Sequence, residues 1–101
     1  MKRGEIWWAK VDKPRPVCLV SRDEAYEVRA MVMTAPVSTK VRGYAVEVKV
    51  GKREGLSKTS VINCDWLVTL PKARLERRLG TLSSAKLGQL DASLRFALGL
   101  E

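Results

Sequence analysis

Lys13–Gly43, KPRPVCLVSRDEAYEVRAMVMTAPVSTKVRG, decides how the rest of the chain is read. Arg15 and Pro16 open one apolar run, and Ser38 and Thr39 close another. Pairing the two runs as strands brings a fixed cation and hydroxyls into one cleft, a site for an anion and above all for a phosphate.

Working outward, Arg15 to Arg22 (RPVCLVSR) reads as a strand with an apolar centre, buried on both faces. Val28 to Val37 (VRAMVMTAPV) reads as the next, after a polar link from Asp23 to Glu27. Before them, Gly4 to Val11 (GEIWWAKV) predicts a first strand, with Trp7 and Trp8 on opposite faces, one in the core and one a surface platform. Only Asp12, Lys13 and Pro14 separate it from Arg15, which makes a tight turn. Alternation in Tyr44 to Val50 (YAVEVKV) marks a half-buried fourth strand, and Gly51 to Ser57 a polar loop. That loop precedes Lys58-Thr59 but lacks the glycines of a nucleotide-phosphate loop, which excludes an NTPase on this motif. Ser60 to Cys64 predicts a fifth strand continuing through Asp65 and Trp66 to Leu70. Pro71 to Gly80 starts as a short helical turn and holds the densest basic run, Lys72, Arg74, Arg77 and Arg78. Ser83 or Ser84 caps a final helix to about Leu98, with a core stripe of Leu87, Leu90, Leu94, Ala97 and Leu98 and a stop at Gly99. The expected architecture is one α+β domain over residues 1–101: a small curved antiparallel barrel of about five strands, part-covered by an amphipathic C-terminal helix.

Composition narrows the chemistry. Lys and Arg outnumber Asp and Glu 19 to 11, a formal +8, which favours a polyanion such as nucleic acid as partner. Apolar stretches stay far below the roughly 20 residues that span a bilayer, so no membrane span or secretion signal is expected. Cys18 and Cys64 lie in apolar runs and read as reduced, structural thiols of a cytoplasmic chain. With no histidine and no Cys-x-x-Cys pair, a zinc site has no ligands, and no cofactor is expected.

The segments RGEIWWAKVD (Arg3 to Asp12), RPVCLVSRD (Arg15 to Asp23), APVST leading to RGY, SVINCD (Ser60 to Asp65) and LGTLSSAKLGQLDASLRFALGL, in this order, resemble the MazF/PemK family of toxin endoribonucleases. The resemblance implies an SH3-like barrel, a homodimer, metal-independent cleavage of single-stranded RNA at short motifs, and a cognate MazE-like antitoxin whose disordered segment covers the groove. It places the family's catalytic Arg on Arg15 and its Thr on Ser38, a hydroxyl kept and a methyl lost. The family's longer first loop with a Gly-Ser-Glu-Gln pattern is replaced here by Asp12 to Pro14. Its frequent Glu-Gln-Ile-Arg-Thr reads Asp65, Trp66, Leu67, Val68, Thr69, a change expected to alter which bases are recognised.

RNA brings its own nucleophile, the 2′-OH, so cleavage needs alignment, proton transfer and stabilisation of charge on the phosphate oxygens. Arg15 can donate two hydrogen bonds to the phosphate and Ser38 one. Without histidine, the groups left for the chemistry are Arg15, Ser38 and Thr39 or a carboxylate. The resemblance assigns Arg15 proton transfer as well, but a guanidinium stays protonated near neutral pH, so its electrostatic role is favoured and the base is left open. Lys40, Arg42, Asp65, Arg77 and Arg78 are further candidate substrate contacts, and Trp66 offers a face on which a base could stack. From spacing alone Arg15 is a strand-edge charge and Ser38 a turn former; the resemblance is what gives them chemistry. Two other classes stay in view: a non-catalytic CcdB-like gyrase-inhibiting toxin and an SH3-like nucleic-acid-binding module. Adjacent Trp residues and several apolar strands also predict a symmetric dimer whose shared basic groove binds RNA or an acidic antitoxin tail in turn.

Overall fold

The hairpin expected around Asp12 to Pro14 is present in this computed structural model, which describes residues 1–100: β1 (Glu5–Lys10) and β2 (Pro14–Leu19) pair antiparallel with Trp7 opposite Val17 and Ala9 opposite Arg15. β3 (Met31–Ser38) lies beside β2 and is the hub of the sheet. On its other edge, its C-terminal end pairs with β5 (Ser60–Asn63) and its N-terminal half with β6 (Val68–Pro71). β4 (Glu47–Val50) flanks β5, and β7 (Leu75–Thr81) flanks β1, giving the order β4-β5-β3-β2-β1-β7 with β6 off this path.

The apolar runs of β2 and β3 are nearly continuous because both faces of the sheet are covered. On one face Ile6, Cys18, Ala35, Val48, Val50 and Ile62 pack with Leu90 of the C-terminal helix. On the other Ala9, Val17, Leu19, Val32, Leu70 and Leu75 pack with Tyr26. That helix, α2 (Ser84–Leu98), starts where the Ser83 hydroxyl accepts the Lys86 N–H and ends at Gly99, whose φ of +70° closes the last turn.

Several expectations are corrected. The polar link before β3 contains a short helix, α1 (Ala25–Val28), so β3 begins at Met31 rather than Val28. Ala25 and Tyr26 turn inward, and the Tyr26 hydroxyl donates to the Ser21 carbonyl. The fourth strand is only Glu47–Val50, and Tyr44 stands exposed before it. The long fifth strand is two strands: Asn63 Oδ1 accepts the Asp65 N–H and the Asn63 carbonyl accepts the Trp66 N–H, a side-chain-assisted turn that breaks pairing. The basic run makes one 3₁₀ turn, Lys72–Arg74, and then becomes β7, because the outer edge of β1 offers a free ladder. Among the described residues, seven strands therefore replace about five. Neither Trp7 nor Trp8 is a core residue, since both stay half-buried, and Leu98 of the helix stripe is 56% exposed.

Two features curl the sheet into a half-barrel. The β1–β7 register slips between Ile6 and Trp7 and again between Trp8 and Ala9, and such bulges bend and twist a strand. At the open side, the turn after β4 meets β7 backbone to backbone: a Cβ on Gly80 would lie 2.2 Å from the Glu54 carbonyl oxygen, and one on Gly55 2.0 Å from that of Leu79. Only glycine fits this seam, and Gly55 also needs its positive φ of +86°. The buried Glu54 side chain fixes the turn by accepting the Gly51 N–H at 2.7 Å.

Candidate active site

Arg15 sits at the start of β2, opposite Ala9, which puts it at the margin of the face lined by Ala9, Val17 and Leu19. Two contacts hold it. Its Nη2 lies 3.0 Å from both oxygens of Asp12, in the tight turn just before it. Its guanidinium stacks over the Trp66 ring, Cζ being 4.7 Å from the centroid. Its side chain is only 16% exposed, and Nε is buried with no hydrogen-bond partner. Leaving such a donor unpaired costs about 1–3 kcal/mol.

The strand register brings Ser38 into the same neighbourhood. Val17 faces Pro36 across β2–β3, and continuing that register by two residues sets Arg15 across from Ser38. The ladder itself ends before that point, so the two strands open where the pair sits. Ser38 also pairs with Val61 of β5, and its hydroxyl accepts the Lys40 N–H at 3.0 Å, which shapes the turn leaving β3. Ser38 and Thr39 line a cleft of about 250 Å³ with Trp8, Pro16, Leu56, Ser57, Lys58 and Ser60. Arg15 does not line that cleft. A second hollow of about 230 Å³ shares Trp8, Pro16, Leu56 and Ser57 and extends to Arg77, whose Cζ lies 5.8 Å from the Trp8 ring centroid.

The remaining candidates separate. Asp65 and Trp66 occupy the β5–β6 turn beside Arg15, with the Asp65 side chain exposed. Lys40 and Arg42 are exposed on the turn after Ser38, where Glu47 accepts the Arg42 and Gly43 N–H groups. Arg78 is not brought to the cleft: it points toward Glu5 at 3.4 Å, beside the Trp7 indole N–H that Glu5 also accepts. Sequence reasoning missed Asp12 as a partner of Arg15, and Leu56, Ser57 and Lys58 as a cleft wall. The Asp-x-x-Arg spacing across a tight turn permits the first without specifying it; nothing short of the glycine seam marks the second.

Electrostatics follow from these contacts. Desolvation pushes the Asp12 carboxyl up, but the Lys13 N–H, its own N–H and the Arg15 guanidinium outweigh it and hold Asp12 below its ordinary value. Desolvation likewise opposes ionisation of Glu5, yet Trp7, the Lys2 backbone, the chain's amino terminus and Arg78 keep its pKa lowered. Among the described residues no three His, Cys, Asp or Glu side chains gather as a metal site requires, and no helix is long and apolar enough to cross a membrane.

Residues 2–98 match the family described as PemK-like, MazF-like toxin of type II toxin-antitoxin system. This chain belongs to the PemK/MazF family. It is 36% identical over 93 residues to endoribonuclease MazF3 of Mycobacterium tuberculosis, covering 92% of this chain and 90% of the relative. Its fold superposes on the Mycobacterium tuberculosis toxin MazF-mt6 with a TM-score of 0.92 at 35% identity, over 96% of this chain and 98% of that one. A mycobacterial endoribonuclease solved in complex with its cognate antitoxin superposes with a TM-score of 0.91 at 26% identity, over 100% and 97% of the two chains. Within this PemK/MazF-family chain, the Asp12–Arg15–Trp66 cluster stands at the tight β1–β2 turn.

Proposed function

We propose that this chain is the toxin of a type II toxin-antitoxin pair and a metal-independent endoribonuclease that cuts single-stranded RNA at short sequence motifs. Residues 1–101 act as one catalytic domain. The observation that carries this reading is Arg15, a cation clamped between a carboxylate and an indole with a buried unpaired Nε, at the opening between β2 and β3 where Ser38 lies. Arg15 holds the scissile phosphate and the charge that develops on it, and Ser38 donates one further hydrogen bond. Asp65 and Trp66 contact bases beside it. Lys40, Arg42 and Arg77 supply attraction along the backbone, and Thr39 and Lys58 line the path from the cleft. The 2′-OH attacks phosphorus and leaves a 2′,3′-cyclic phosphate and a 5′-OH end.

A homodimer, a MazE-like cognate antitoxin and a cytoplasmic location belong to the same proposal. Family membership, the relative solved with its antitoxin, and two buried free thiols support them. The deciding experiment incubates purified protein with a long single-stranded RNA in EDTA and identifies the fragment ends. Discrete cuts with cyclic phosphate ends are expected. RNA bound but left intact would favour a binding module, and intact RNA with gyrase inhibition a CcdB-like toxin.

A further inference from the structure

Attack by the 2′-OH requires a group that takes its proton, and this chain has no imidazole. We propose that Asp12 is that proton acceptor, an inference that rests on the RNA-cleaving function proposed above. Among the described residues Asp12 is the one carboxylate in contact with Arg15. The contact occupies Nη2 alone, so Nη1 remains to bind a phosphate without displacing Asp12. A 2′-OH adjoins the phosphate it attacks, and a carboxylate on the same guanidinium is therefore within its reach.

Burial and existing bonds remove the rivals. The Asp12 side chain is 58% exposed and open to a ribose. Glu5 and Glu54 are buried and already accept the Trp7 indole N–H and the Gly51 N–H. Asp65 is exposed near Trp66 but makes no ion pair with Arg15. The Lys13 N–H, 2.9 Å from Asp12 Oδ1, fixes the carboxylate in place.

In the step, the proton leaves the 2′-oxygen for an Asp12 oxygen as the 2′-O–P bond forms. The P–O5′ bond breaks, the departing 5′-oxygen takes a proton from water, and Asp12 returns its proton to solvent. The books balance with a cyclic phosphate and a 5′-OH and no further reactant.

The test uses the full chain, a single-stranded RNA oligonucleotide spanning one mapped cut, and EDTA. Asp12→Asn keeps an oxygen facing Arg15 but cannot take a proton, so single-turnover cleavage should fall by about 10²–10⁴-fold. Binding of the same oligonucleotide with a 2′-deoxy sugar at the cut should change by less than about threefold, since the phosphate contacts remain. Asp12→Gly should regain rate when formate is added, and not with chloride at equal ionic strength; Asp12→Glu should retain part of the activity. Cleavage by Asp12→Asn within about threefold of the parent rate, or an Asp12→Gly variant that stays folded by circular dichroism and ignores formate, would overturn the assignment. If the unmutated protein cuts no RNA at all, the parent function and this role fail together, an outcome plainly different from an active Asp12→Asn.

Discussion

On one face of β1, β2 and β3, Ile6, Cys18 and Ala35 are sealed completely, with Leu90 of α2 closed over them; on the other, Trp7, Val11 and Val68 stay half-exposed around Ala9, Val17 and Leu19. The same strands make both. The difference lies in what covers them: a helix of 15 residues on the first face, and on the second chiefly Tyr26 of a four-residue helix. The sealed face supplies stability. The under-covered one leaves a margin where a cation sits on apolar ground, partly shielded from water, and a charge in such a place acts more strongly on a substrate than one in bulk solvent.

Substitutions can break this contrast. Arg15→Ala is expected to abolish cleavage, a loss of at least about 10³-fold, while thermal stability and most RNA binding persist because the other cations remain. Cleavage at the parent rate would show that the open face is not where the chemistry happens. Leu90→Ala should do the reverse, lowering stability by about 2–5 kcal/mol in urea titrations with cleavage by the folded fraction unchanged. A loss of specific activity there would mean that the two faces are coupled. Ser38→Ala should slow cleavage by about one to three powers of ten and Ser38→Thr should keep most of it; if Ser38→Ala is silent, Thr39 is the better donor.

The smallest effect concerns the sealed face. Burial pushes the Cys18 thiol up to about 12 and that of Cys64 up to about 11, against an ordinary value of 9.0. Both should resist a thiol reagent at pH 8 until the chain unfolds. Because these folded-state values are raised, stability should be unaffected by the thiols below about pH 9 and decline from there toward pH 11–12, as the unfolded chain alone ionises. Rapid labelling of the native protein would place this face within reach of solvent.

How much of this could be read from residues alone depended on periodicity. β1, β2 and α2 were legible because apolar spacing, the Ser83 cap and the Gly99 stop all agree. β7 was not, because Glu76, Arg77 and Arg78 carry no alternating apolar signal and two bulges scramble its phase against β1. The expected single strand from Ser60 to Leu70 failed at Asn63, where one side-chain amide breaks the ladder and thereby carries Trp66 onto Arg15. Arg15 and Ser38 were singled out through family likeness, and the β2–β3 register, continued two residues past its last pair, sets them across from each other. Asp12 was read only as a turn residue, since an ion pair across three positions depends on a rotamer that spacing does not specify.

The glycine seam between Glu54–Gly55 and Leu79–Gly80 joins the ends of the sheet without a hydrogen-bond ladder. Every other junction between neighbouring strands must lose backbone hydrogen bonds to part, whereas this one loses only van der Waals contact. The shell should therefore breathe here first, and native-state amide exchange would be fastest in the 51–59 turn among the segments that wall the cleft. Since Leu56, Ser57 and Lys58 ride on that turn, each such opening would move one wall of the cleft that holds Ser38, tying the mobility of that wall to two residues with no side chains.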